Sequence, residues 1–255
     1  MRRRRISPRV VLFYVALAAV SLIAWQIGAG FSKPALFPSP SNTLDAAVRL
    51  FQSGTLATSV FASYNRILVG WIVGSLIGVP AGLLMGRIQL VRTIADPYLQ
   101  LLRFLPPIAV LPVAIMWMGT SEQSRILLIV YATMFVVAMY TLDGAMRVDI
   151  EKVRAAQSLG ASSRQILWHV VVPAIMPDTI GGMRLAMGRS FMAIVSAEML
   201  AADSGLGFLI FNARTYMLTA QIFVGLVALG TCGLLTDHLL RFMVARVLYR
   251  YQVKM

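Results

Sequence analysis

The sequence predicts an all-α integral membrane protein with six transmembrane helices. Three observations carry that prediction. The 255 residues are 58% hydrophobic and 13% charged, with a mean hydropathy of +0.77, whereas a soluble domain holds about 25% charged residues. Six apolar runs, at 10–30, 61–86, 104–119, 126–142, 180–202 and 221–244, approach the roughly 20 residues that a spanning helix needs. The third run is short and proline-rich. Finally, with the N-terminus inside, 18 of the 23 Lys and Arg residues fall on the inner side, the pattern that sets membrane orientation. Lys33, Arg49, Arg66, Arg125 and Arg214 remain outside. This bias accounts for the net charge of +13 without a nucleic-acid partner; membrane lipid is the expected counterpart of the basic clusters. The sequence is expected to form one transmembrane domain over 1–255. Its basic tail covers 1–9, its first span 10–30, an outer loop with a short helix 31–60, the core spans 61–244 and a tail 245–255.

The first run follows Met1-Arg-Arg-Arg-Arg, and Ala16-Leu-Ala18 resembles a signal-peptide cleavage site. The apolar stretch nevertheless continues to Trp25, longer than an h-region of about 7–15 residues. It is read as an uncleaved span. In the outer loop, Ser41 or Asn42 is expected to cap a helix over 43–52, with Leu44, Ala47, Val48 and Phe51 at helical spacing. That helix would lie flat on the outer interface, unless the loop merely connects.

The second span carries Gly70, Gly74, Gly78, Gly82 and Gly86. Glycine at every fourth position makes a smooth ridge against which another helix packs closely, or slides during gating. The third span opens Arg103-Phe-Leu-Pro106-Pro107 and adds Pro112. Prolines remove backbone donors and bend a helix, and freed backbone groups at membrane depth need protein or a water-filled cavity beside them. This span is therefore a candidate for lining a pathway, with simple kinking as the alternative.

Between the fourth and fifth spans lies an unusual inner loop, about 143–178. A helix over 150–159 is expected to stop at a left-handed Gly160. Ser162 then opens a second helix, with Gln165 as its capping-box partner. Trp168 and His169 suit an interfacial belt, Pro173 and Pro177 are expected to break the helix, and Asp178 to cap the next span. The result would be a right-angled knob on the cytoplasmic surface, kept flat by Ala155, Ala156 and Gly160.

The fifth span holds Arg184, Arg189, Ser190, Ser196 and Glu198, and ionisable groups in a span are functional by default. Arg184, Gly188, Phe191, Val195 and Glu198 share a helical face. The two arginines are placed near the inner end, either snorkelling or lining a route. Glu198, near the outer end beside Met199, either pairs with a neighbouring span or acts as a gate. Asp143 and Asp237-His238 are expected at the interfaces.

The three lysines precede Pro34, Val153 and Met255, so no G-x-x-x-x-G-K-[ST] phosphate loop exists. One cysteine, Cys232, and two histidines, His169 and His238, offer no metal-ligand cluster and no Ser-His-Asp set. No cofactor and no enzymatic activity are expected of this chain.

The stretch 154–173, RAAQSLGASSRQILWHVVVP, resembles the cytoplasmic loop of bacterial ATP-binding-cassette (ABC) importer permeases. Ala155, Ala156, Gly160 and Pro173 match that pattern in register; Arg154 stands where the family has glutamate, Val170 where it has isoleucine and Val172 where it has leucine. Glu151, one turn earlier, is a possible substitute acid. Leu36-Phe-Pro-Ser-Pro-Ser, the 106–112 region, and Ala197-Glu-Met-Leu-Ala-Ala with Ser204-Gly-Leu-Gly-Phe-Leu look like the nitrate/sulfonate/taurine/bicarbonate branch. The resemblance implies the type I (MetI-like) permease fold and a multi-pass protein of the bacterial inner membrane with both termini cytoplasmic. It also implies a pair of identical chains and a periplasmic or lipid-anchored solute-binding protein. Separate ATPase subunits that bind ATP and Mg would engage Arg154, Ala155, Ala156, Leu159, Gly160, Ala161, Ser162 and Pro173. A secondary transporter or channel is the alternative, although no inverted halves are visible. A lipid-acting enzyme would have to rest on Asp237-His238, which point to different sides of a helix.

Overall fold

A computed structural model describes residues 8–33 and 36–247; most of the expected basic tail at 1–9 and residues 248–255 of the C-terminal tail lie outside that range. Among the described residues every regular element is helical. They run α1 (Pro8–Gly30), α2 (Pro40–Gln52), α3 (Thr55–Arg87), α4 (Gln89–Arg103), α5 (Pro107–Met118), α6 (Glu122–Met146), α7 (Ile150–Ser158), α8 (Ser163–Ile166), a π turn (Leu167–Val171), α9 (Val172–Ala201), α10 (Leu206–Thr215) and α11 (Thr219–Val247). Five helical stretches are long and apolar enough to cross a bilayer: α1, α3, α6, the continuous rod 163–201, and α11. The pair α4 and α5, bent by 100°, supplies a sixth, broken crossing.

That break corrects the expected third span. Helix α5 has 12 residues, about 18 Å at 1.5 Å per residue, short of a hydrocarbon core of about 30 Å. Pro106 cannot continue α4, because the ring of Pro107 holds it extended at ψ 134°. The amphipathic α4, which has no long apolar run, completes the crossing by packing Leu99 against Met85, Ala138 and Leu142.

The core is a three-helix stack. Helices α3 and α6 run in the same direction, with the glycine ridge between them. A Cβ on Gly70 would lie 2.5 Å from Ile129 Cβ, on Gly74 2.6 Å from Thr133 Cβ, and on Gly78 2.7 Å from the Met134 carbonyl oxygen. Gly82 meets Ala138 and Thr141, and Gly86 meets Ala145, equally closely. Helix α9 runs antiparallel on the other face of α6, where Gly182 accepts the Tyr140 side chain. Ile67, Leu111, Leu128, Ile129 and Ile194 close the centre.

Helix α1 stands at the margin, its apolar side chains exposed as lipid-facing residues are. Trp25 attaches it: its ring stacks on Phe223 of α11 at 5.6 Å and its Nε1 donates to the Pro38 carbonyl at 3.0 Å. Helix α2 starts three residues earlier than expected. Ser39, not Ser41 or Asn42, is its cap, because Pro40 suits the first helical position. It buries Ala46 and Leu50 against Leu206, Leu209 and Val224, while Leu44, Val48 and Phe51 stay exposed.

The sequence reading also placed a break at Pro173 and Pro177, and a cap at Asp178. Neither is present: one rod runs from Ser163 to Ala201. Pro173 has no N–H to donate, and its ring crowds the carbonyl four residues back. The π turn just before it widens the winding, with the Val172 N–H reaching back to Leu167. Asp178 therefore sits inside α9, packed on Gly144 and 3.7 Å from Arg147.

Candidate functional site

Three regions of chemistry emerge: an elbow at one end of the stack, a largely buried ionic cluster at the other, and a pair of cavities between them.

The elbow joins α7 to α8. Asp149 caps α7 by accepting from the Glu151 N–H. The helix ends in a Schellman motif: Gly160 N–H donates to Gln157 at 2.9 Å and Ala161 N–H to Ala156 at 3.0 Å. Gly160 sits at φ +82° with open space where a Cβ would project. Ser162 and Gln165 form the reciprocal capping box. The unit is fastened from beneath by Val153, Ile166, Val171 and Ile175 against Ala145 and Leu83. Its outward side carries Arg154, Ala155, Leu159, Gly160 and Ser162, all exposed. Leu159, at 88% exposure, is a large apolar side chain displayed to solvent. Ala156, Ala161 and Pro173 are half-buried behind it, and Glu151 is exposed one turn before Arg154.

At the opposite end Glu198 is fully enclosed. Its carboxylate accepts from Ser63 Oγ at 2.8 Å, Arg66 Nη1 at 2.7 Å and the Gly207 N–H at 2.9 Å. Arg66 also grips Glu122 with Nε and Nη2, both at 2.6 Å, and donates to the Ser204 carbonyl and hydroxyl. Arg125 donates to Glu122 at 2.8 Å and to the Ala201 carbonyl. Two arginines balance two glutamates, and four segments (α3, α6, α9 and the 202–207 turn) are tied together. Opposite charge and complete hydrogen bonding are what make such burial tolerable. The cluster also explains the glycines of Ser204-Gly-Leu-Gly. Gly205 adopts φ +112°, with the Glu198 carboxylate where its Cβ would stand, and a Cβ on Gly207 would lie 2.7 Å from the Val195 carbonyl oxygen. Sequence reasoning counted Arg66 and Arg125 as outer charges and did not join them to Glu198. Their signal was their place inside or at the edge of apolar runs.

The sequence-derived pathway candidates separate. Arg184 and Gly188 line a cleft of about 620 Å³ between α9 and α11, with Phe191 and Val195. There Arg184 is paired bidentately with Asp237, which also accepts from Arg241 at 2.9 Å. Pro107 lines a different cavity, about 690 Å³, between the α4–α5 bend, α6 and the other face of α9. Glu198 and half-buried Met199 line neither, and Pro106 and Pro112 flank the bend. Arg189 sits toward the middle of the helix stack, not at a span end: the adjoining Ser190 shares a hydrogen bond with Thr133, midway along α6, at 3.0 Å. With no break at Pro177, α9 extends further toward the elbow than the sequence reading allowed.

A family model described as a binding-protein-dependent transport system inner membrane component matches residues 74–249. The taurine transport system permease protein TauC of Escherichia coli is 34% identical over 95% of this chain and 90% of its own length. The nitrate import permease protein NrtB of Synechocystis is 32% identical over 93% of this chain and 89% of its own. An inward-facing structure of the MetNI methionine ABC transporter superposes with a TM-score of 0.62 at 21% identity, covering 78% of this chain and 96% of that one; it shares the fold. The exposed helix–glycine–helix elbow, the broken crossing and these similarities together identify the chain as a member of the binding-protein-dependent inner membrane component family, a multi-pass permease subunit of an ABC importer.

Proposed function

We propose that this permease imports a small oxyanion as a pair of identical chains, each docking one ATPase subunit at its elbow. ATP and Mg belong to the ATPases, and a solute-binding protein delivers the anion to the Glu198 end. Both termini face the cytoplasm, as does the elbow, in keeping with the excess of Lys and Arg there. The observation that carries the docking reading is the contrast between the two sides of the elbow. Leu159 is 88% exposed while Val153 and Ile166, a few residues away, are 5% and 4% exposed. A protrusion bolted this firmly transmits a push as a rigid lever, which a flexible loop does not. When the ATPases close, the elbows approach each other and the spans rock between two access states. The names of the taurine and nitrate relatives support an anionic cargo.

The test replaces Cys232 with Ser and places a cysteine at Leu159 in the assembled transporter. Cross-linking to the ATPase should be efficient and should change with nucleotide. A complex in which Leu159→Cys never reaches the ATPase, or in which Gly160→Trp transports at the native rate per ATP, would overturn the docking reading.

A further inference from the structure

We infer that Arg103 and Arg189 form an anion-recognition pair inside the membrane-embedded cavity, the point at which the permease itself contacts its cargo. The inference rests on the oxyanion-importer reading and deepens it to residues.

Among the described arginines of the membrane core, Arg66, Arg125, Arg184 and Arg241 all have carboxylate partners. Arg189 has none within 4 Å, and Arg103 has only the face of Phe104, 4.8 Å from the ring centroid. Both are exposed and both line the 690 Å³ cavity. Their depth is fixed by neighbours. Ser190 bonds to Thr133 at the middle of α6, and the Leu102 carbonyl receives the Tyr131 hydroxyl two residues earlier on the same helix. An arginine at mid-span is costly to insert and is a functional-site candidate by default.

The cavity supplies no countercharge of its own: the segments 126–141 of α6 and 185–197 of α9 contain no Asp or Glu, and no carboxylate is among the described residues that line it. Two cations facing one cavity without an acid between them make it a receptive site for an anionic cargo. Guanidinium groups offer forked donors that match nitrate, sulfonate and carboxylate oxygens. Ser196 adds a hydroxyl whose proton rests on the Met192 carbonyl at 3.3 Å, while Ile108, Phe135, Val136 and Met192 make the remaining wall apolar. That combination suits a small oxyanion with a short apolar tail. Cations and neutral polar solutes would gain nothing from it.

The test uses the complete transporter, permease with its ATPase and binding protein, reconstituted in phosphatidylcholine vesicles. Uptake of ethanesulfonate, taurine and nitrate is measured per ATP hydrolysed for wild type, R103Q, R189Q and R189K, with co-purification of the ATPase as the measure of assembly. The pair predicts at least a tenfold loss of anion uptake per ATP in R103Q and R189Q, with substantial rescue in R189K and assembly intact. Undiminished uptake in R103Q and R189Q overturns the pair and leaves the importer reading standing. A loss that appears only when phosphatidylglycerol is added assigns the arginines to lipid headgroups and likewise overturns it. If the assembled wild type hydrolyses ATP yet moves none of the three anions, the oxyanion reading fails first and the pair with it.

Discussion

Arg66 of α3 and Glu198 of α9 meet at 2.7 Å with side-chain exposures of 4% and 0%. They are 132 residues apart in sequence; among the described residues Arg66 is the one cation that neutralises the buried Glu198, and Arg66 also holds the more exposed Glu122.

Removing one member should cost far more than an ordinary surface ion pair. Glu198→Ala leaves the Arg66 guanidinium short of a partner in an enclosed site, a loss of about 3–5 kcal/mol. Glu198→Gln keeps the shape and some hydrogen bonds and should be milder. Thermal unfolding of the purified permease in detergent checks the order: wild type, then Gln, then Ala. Equal midpoints for all three would show that the cluster contributes nothing.

Arg184 and Asp237 provide the contrast. Their side chains are 31% and 30% exposed, and each can reorient more freely than the enclosed Arg66 and Glu198. Asp237→Asn should therefore lower the same unfolding midpoint by less than Glu198→Ala does. A drop comparable to that of Glu198→Ala would contradict this ranking.

The glycine ridge makes a positional prediction. Gly74→Val and Gly82→Val would drive a side chain into Thr133 or into the α6 backbone at Ala138, and overpacking of this kind costs about 1–3 kcal/mol or more. Gly181 on α9 has nothing within 4 Å of its Cβ position. Gly181→Ala should be neutral or stabilising by up to about 1 kcal/mol through helix propensity. Yield of folded protein by size-exclusion chromatography separates the two groups.

Gly160 and Gly205 both hold positive φ, yet they should respond differently. Around Gly160 there is open space, so Gly160→Asn should fold and co-purify with the ATPase almost normally, since Asn tolerates the left-handed region. At Gly205 the Glu198 carboxylate occupies the Cβ position, so Gly205→Ala should disrupt the cluster and lower yield. Expression and unfolding midpoint of the two variants decide the matter.

Much of this architecture was written locally in the chain. Fourfold glycine spacing announced the α3 ridge, and Gly160 with Ser162 and Gln165 announced the elbow, because a Schellman stop and a capping box use neighbours in sequence. What escaped was non-local or masked. Arg66, Glu122 and Glu198 sit on three helices, and charge counting treated them one at a time. Helix α4 lacked an apolar run, because half its surface is polar, so its contribution to a crossing was invisible to a hydropathy criterion. Pro173 and Pro177 were read as breaks because a π turn that relieves the first of them leaves no mark in composition. Arg184 and Arg189, five residues apart, look alike in sequence, yet they face different cavities and only Arg184 meets Asp237.

That turn at 167–171 has one more consequence. It inserts an additional residue into the winding of a single rod, so side chains above and below it are out of phase by roughly 100° relative to a regular helix. The half that buries Ile166 under the elbow and the half that faces α6 thus obey separate rotational registers. Deleting one residue there would bring the two registers into line and swing one half's apolar stripe away from its partner. Because both halves belong to one continuous rod, neither can turn without carrying the other.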